Sequence, residues 1–308
     1  MKPATPETGD AGGLFPIRTV SALTGVNAVT LRAWERRYGL IRPQRTPKGH
    51  RLYTRADIAR IRRVLDLLDQ GIAVSQVRPL LESDSAGDSA AERPVRTDEW
   101  QRYRERLLHA IERFDEAALD AAYNDALSLY PVDRVIRNLA APLLQHLGEH
   151  WKDRPAGVAA EHFFSVYLRN KVGARIHHSN AHGTGPRLLI ACLPGDYHEI
   201  GMLFFALTAA SHGYRVLLLG ANLPLAQVPP VLELQHCDAV VLSGSARPAR
   251  GLLDVQLPAL VAQLAVPVFV GGAVSARHAE AVASAGASAC GEDYHDALQQ
   301  IAAQLRRR

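Results

Sequence analysis

The chain has 308 residues, 47% of them hydrophobic, enough for two or three compact domains, and no charge-free apolar run of about 18 residues, so a cytoplasmic rather than a membrane-spanning protein is expected. Its opening residues, MKPATPETGDAGG, lack the basic and apolar regions of a signal peptide. The net charge of +4 is uneven: residues 1–82 carry 14 Lys and Arg against 7 Asp and Glu, which points to an amino-terminal domain that meets a polyanion, attached to a body that does not.

In chain order, residues 14–82 read as a helix, a turn at Thr24-Gly25-Val26, and a second helix capped by Asn27. This is helix-turn-helix spacing. The second helix is expected to place Thr30, Arg32, Arg36 and Arg37 on polar faces and Val29, Leu31 and Trp34 in apolar contacts. RPQRTPKGHRLYT then offers Arg42, Arg45, Lys48, His50, Arg51 and Tyr53 around Pro47 and Gly49, as a basic hairpin or wing. A solvated charged face is the bland alternative. It is outweighed because residues 13–63 hold 12 Lys and Arg against only Glu35 and Asp57, interleaved with aromatic rings. Helix and wing together can grip a phosphate backbone, leaving base reading to a few side chains. The order helix, turn, TLRAWERRYGL, wing GHRLY resembles the MerR-type winged-helix regulators, which implies palindromic double-stranded operator DNA bound by a dimer. No metal-sensing cysteines follow.

ESDSAGDSAAERPVRTD is small, polar and aperiodic, so residues 83–97 are expected to be a flexible linker. From 98 to 182 apolar residues recur at three and four, the pattern of a four-helix bundle. Residues 183–308 change rhythm. RLLIACL, YRVLLLG, AVVLSG and VPVFVGG are apolar runs of strand length separated by helix-period stretches, which defines a Rossmann-like parallel sheet. The fold class expected is therefore multidomain, α and α/β. Cys192, Cys237 and Cys290 are scattered, odd in number and without a CxxC pair, so they read as core residues.

Ligands of such sheets bind at the carboxyl ends of strands, where PGDYHEIG follows the first one. A histidine there can coordinate a cofactor-borne metal if a neighbouring carboxylate fixes its tautomer, and Asp196 lies two residues before His198. Gly201 removes a side chain at the start of the next helix. The plain alternative is that Asp196 caps that helix and His198 is a solvated loop residue. Ser243-Gly244-Ser245 and Gly271-Gly272 close two further strands. DxHxxG, the serine site and GG together resemble the cobalamin-binding domain of methionine synthase and the corrinoid mutases. That resemblance implies His198 as lower axial ligand of cobalt, Asp196 on its other nitrogen, and a nucleotide tail passing Gly201, Ser243, Ser245, Gly271 and Gly272. Members often have Leu where Ser245 stands.

Trp151 followed by Glu161-His162 reproduces the Trp-x9-Glu-His motif of the CarH/LitR-type photoreceptors. Taken alone, Trp151 reads as core and Glu161 and His162 as an exposed helical turn. The resemblance, now spanning nearly the whole chain, implies adenosylcobalamin as cofactor, with Trp151, Glu161 and His162 on its upper side. It further implies a non-enzymatic, light-responsive repressor, a homotetramer of paired dimers in the dark. In the best-known members a histidine follows the motif tryptophan; here that position is Lys152, so no second histidine ligand is expected from it after light, and His150 or His146 could substitute only if the helix turned. A light-independent cobalamin sensor is the nearest alternative, and a methylcobalamin-carrying methyltransferase module a more distant one.

Overall fold

The computed structural model describes residues 13–83, 99–180 and 183–307. β1 (Phe15–Pro16) leads directly into α1 (Ile17–Thr24), which stops at Gly25, a left-handed residue with φ of 72°. Such a conformation suits a residue without Cβ. Asn27 caps α2 (Ala28–Ala33), its Oδ1 accepting from the N–H groups of Val29 and Thr30 at 2.9 Å each, and a π-helical turn, Trp34–Tyr38, extends it to Gly39. β2 (Gln44–Arg45) and β3 (Arg51–Tyr53) form the expected wing. β1, too short to show in the sequence pattern, pairs with the other edge of β3, giving an antiparallel sheet in the order β1-β3-β2. α3 (Arg55–Asp69) opens on a capping box between Thr54 and Asp57, and α4 (Val74–Ser83) follows. Beyond Ser83 the expected linker lies outside the described residues.

Helices occupy the next region: α5 (Glu99–Glu112), α6 (Glu116–Leu129), α7 (Val132–Val135) with a π turn at Ile136–Ala140, α8 (Ala141–His150) and α9 (Gly157–Asn180). Two compact units divide the chain at Ala140/Ala141. This boundary falls within residues 98–182, the stretch expected to form a helical bundle. In the first unit Trp34 Nε1 donates to the Leu129 carbonyl at 2.8 Å and Thr30 Oγ1 to that of Leu127 at 3.3 Å. Arg134, almost fully buried, meets Asp69 through two nitrogens at 2.6 and 2.7 Å. These bonds bind α6 and α7 to the winged helix.

In the second unit α9 packs along α10 (Glu199–Ser211), whose residues Met202–Ala210 are all buried. β4 (Arg187–Cys192), β5 (Arg215–Gly220), β6 (Ala239–Ser243), β7 (Val268–Gly271) and β8 (Ser288–Ala289) make an all-parallel sheet in the order β5-β4-β6-β7-β8. α11 (Val228–Leu234), α12 (Leu257–Gln263), α13 (Ala273–Arg277), α14 (Ala279–Ser284) and α15 (Tyr294–Leu305) supply the crossovers and the last helix. Both faces of β4, β6 and β7 are covered, which is why their sequences run apolar without alternation. The three cysteines are buried and unpaired with one another. The chain returns past β4 between β5 and β6, so the loops after β4 and β6 part at a topological switch point, where ligands of open α/β sheets bind.

Candidate functional site

The loop after β4 carries the centre of the site. Asp196 is buried, 3% exposed, and spends all its acceptor capacity on two strand ends. Oδ1 accepts from the backbone N–H of His198 and lies 2.9 Å from His198 Nδ1; Oδ2 accepts from the backbone N–H groups of Ser245 and Ala246, the loop after β6. Burial by itself would raise the Asp196 carboxyl, but the hydrogen bonds from Ser245, His198 and Ala246 bring it below the usual carboxylate range. It is therefore an anion at neutral pH, an acceptor that favours the Nδ1–H tautomer of the neighbouring imidazole. In that tautomer Nε2 is the nitrogen that carries the lone pair. The imidazole is 73% exposed, held at the switch point by a buried carboxylate. Asn222 secures the loop from β5's end, its N–H donating to the Asp196 carbonyl and its Oδ1 accepting from Gly195 N at 2.7 Å.

The glycines fall into two kinds. A Cβ on Gly244 would lie 2.6 Å from Leu193 Cδ1, and one on Gly272, whose φ is 80°, 2.6 Å from the Gly244 carbonyl. Protein packing alone demands these two. A Cβ on Gly201 would meet only Tyr294 Oη at 3.9 Å, and one on Gly271 only the Gly291 carbonyl at 3.8 Å. At these two positions an added Cβ would meet nothing closer than ordinary van der Waals contact, so packing within the protein does not demand glycine there. Ser243 is half-buried and Ser245 exposed.

On α9, Glu161 is half-buried and accepts from Ser165 Oγ at 2.9 Å, while His162 is exposed. Arg169, further along the same helix, pairs with Glu199 at 2.5 Å, the residue after His198. Glu161 and His162 precede Arg169 by about 11 Å of helix rise. Trp151 is buried, with the Arg154 guanidinium 5.1 Å above its ring, so that face, expected to meet a ligand, is covered by a side chain. The Trp151 carbonyl also fixes the next turn: a Cβ on Gly157 would overlap it. Lys152 is exposed.

In the winged helix the structure corrects two assignments. Thr30 was expected on a polar outer face and Tyr53 on the basic wing, yet both are fully buried. Thr30 and Trp34, one turn apart, face α6 together, so Val29, expected inside, is the residue left exposed at 58%. Val29, Arg32 and Arg36 form the outward face of the second helix, with Arg37 beside it 3.8 Å from Asp125. The wing tip presents Lys48 and His50. Arg45 and Arg51 are not free: Glu35 takes both, at 2.8 and 2.5 Å. Burial pushes the Glu35 carboxyl up, and the two arginines more than reverse this, leaving it lowered. Glu35 was one of two acidic residues in a basic stretch, and that oddity was the signal sequence reasoning passed over. Tyr53, its phenol pushed up to about 12 by burial, belongs to the core.

A winged helix with a basic outer face, joined to a parallel sheet that presents a carboxylate-oriented histidine, defines a DNA-binding regulator coupled to a ligand-binding unit. Residues 15–84 match the family described as MerR HTH family regulatory protein, and residues 103–176 the family described as B12 binding domain. The chain is 32% identical over 279 residues to the HTH-type transcriptional repressor CarH of Myxococcus xanthus, covering 86% of this chain and 90% of that one. The chain belongs to the CarH-type family of MerR regulators with a cobalamin-binding domain, and is a transcriptional regulator. It is also 41% identical over 134 residues to the regulator MlrA of Salmonella typhimurium, 44% of this chain and 52% of that protein. The Methanosarcina barkeri monomethylamine corrinoid protein aligns in structure with a TM-score of 0.52 at 18% identity, over 68% of this chain and 99% of that one, a likeness of fold. Among the described residues no helix is long and apolar enough to cross a membrane.

Proposed function

We propose that this chain is a light-responsive repressor that binds operator DNA as an adenosylcobalamin-loaded oligomer in the dark and releases it on illumination. The observation that carries the reading is the Asp196–His198 pair: with Asp196 accepting from Nδ1, Nε2 would be the atom to hold cobalt. Gly201 and Gly271 leave room for the nucleotide tail, past Ser243 and Ser245, while Gly244 and Gly272 bring the strand ends close enough to wall it. When bound, adenosylcobalamin supplies a cobalt–carbon bond weak enough for visible light to break. Trp151, Glu161 and His162 would hold the adenosyl group, and Arg154 would have to leave the Trp151 ring for that ring to meet it. Dimers pairing into a tetramer, in the cytoplasm, complete the reading.

Arg32, Arg36, Arg37, Lys48 and His50 are the groups placed to meet DNA, with Arg45 and Arg51 holding the wing through Glu35. The test is an absorption spectrum of protein loaded with adenosylcobalamin in darkness, before and after green light, with operator binding measured on the same samples. Unchanged DNA binding after complete photolysis would favour a light-independent cobalamin sensor. Lys152 gives that second reading its support, because an exposed lysine there supplies no imidazole. With Lys152 the illuminated protein is expected to lose cobalamin on gel filtration, and Lys152→His to retain it.

A further inference from the structure

Tyr294 opens α15, directly after its capping residue Asp293, and its ring returns to the first turn of α10. Its hydroxyl is the one heavy atom that a Cβ on Gly201 would approach, at 3.9 Å. The segment before it is fixed to the end of β7: Gly272 N donates to the Gly291 carbonyl at 2.8 Å, Cys290 N to that of Val270 at 2.8 Å, and Gly291 N to the buried Ser275 Oγ at 2.9 Å. The segment that carries the phenol is thus anchored to the end of β7 by backbone bonds. It has no hydrogen-bond partner among the described residues. Burial first, and then the nearby Glu292 and Asp293, push its pKa up to about 12, so it is a neutral donor at physiological pH. The residue is half-buried and its hydroxyl stays in reach of solvent, so a bound ligand can take the place of water as its hydrogen-bond acceptor.

We infer that Tyr294 is a positioning residue of the tail slot, its hydroxyl donating a hydrogen bond to an oxygen or ring-nitrogen acceptor on the nucleotide tail of cobalamin that lies against Gly201. This rests on the proposed cobalamin reading and adds a residue that selects corrinoids carrying a tail over those without one. The slot's two open glycines give shape, and Tyr294 gives it a polar contact. No other hydroxyl lies within 4 Å of the position a Gly201 side chain would take.

The experiment titrates the full chain in darkness with adenosylcobalamin and with adenosylcobinamide, which lacks the nucleotide tail, following the corrin spectrum. Tyr294→Phe keeps the ring and removes only the donor. It should weaken adenosylcobalamin binding about fivefold, the size of one hydrogen bond, and leave adenosylcobinamide binding within a factor of about two, with unchanged melting of the ligand-free protein. Gly201→Val, which fills the slot, should show the same selectivity with a larger loss. An equal loss for both corrinoids in Tyr294→Phe, or no loss for either, overturns the role of Tyr294 while leaving the cobalamin reading in place. Failure of the unaltered chain to bind either corrinoid overturns both.

Discussion

Two carboxylates organise the two ends of this protein, and they do so with different partners. Glu35 gathers two guanidinium groups, Arg45 and Arg51, whose side chains remain 52% and 23% exposed. Asp196 gathers three backbone N–H groups and an imidazole, and is itself buried. If Glu35 is lost, water can solvate what it held. If Asp196 is lost, three backbone N–H groups at the junction of two strand ends lose their acceptor at once, and a donor left unpaired costs more than the bond was worth. The clasp of the wing is adjustable, and the clasp of the cofactor loop is structural.

The largest expected effect comes from the group Asp196 presents. His198→Ala should reduce cobalamin affinity by about a hundredfold or more, since even outer partners of metal ligands contribute about 10- to 100-fold, and should leave a base-on spectrum; an unchanged base-off spectrum and affinity would exclude His198 as ligand. Replacing the organiser itself is next. Asp196→Ala should lower the stability of the second unit by about 2 to 4 kcal/mol, read by urea denaturation without cofactor. Because the folded pKa of Asp196 lies below its unfolded value, the stabilisation is full above the ordinary carboxylate range and is lost as pH falls through the folded pKa. Melting temperature between pH 6 and pH 3 should therefore fall more steeply in the unaltered chain than in Asp196→Asn.

On the DNA side the effects should be smaller and of a different kind. Arg32→Ala and Arg36→Ala are each expected to lower affinity for all sequences and flatten the salt dependence by about one unit of slope. A change in operator preference at constant slope would instead make that arginine a base reader. Glu35→Gln should cost about 1 kcal/mol or less, as a partly exposed ion pair does. It should raise nonspecific affinity in low salt, because two arginines are released. Equal sensitivity of folding to Glu35→Gln and Asp196→Asn would remove the distinction between the two clasps.

Much of this was legible in the residues. Asn27, Gly25 and the wing glycine follow from local backbone rules, and they marked the winged helix before any contact was known. The strands β4 to β7 announce themselves as apolar runs because both faces are buried. What misled was phase. Thr30 and Val29 are neighbours, and which of them turns inward depends on α6, about a hundred residues away; the threonine hydroxyl satisfies itself on the Leu127 carbonyl and so tolerates burial. β1 and β8 have two residues each, too few for any periodicity. The Asp196–His198 pairing was readable from spacing, whereas the second duty of Asp196, closing the Ser245–Ala246 loop, is a contact across 49 and 50 positions that no local pattern encodes.

The missing side chain at Gly157 has a consequence for engineering. The connection from Trp151 to α9 works as a ruler: the Trp151 carbonyl accepts from Arg154 N at 2.9 Å and occupies the place a Cβ at Gly157 would need, and Ala156 already sits at a φ of 57°. A connection wound this tightly has no slack to absorb an added or deleted residue. One such change would rotate α9 by about 100° about its axis, carrying Glu161 and His162 to another side of the helix. Chimeras that exchange sensing modules between relatives should therefore be cut before Trp151 or well beyond His162, never between them.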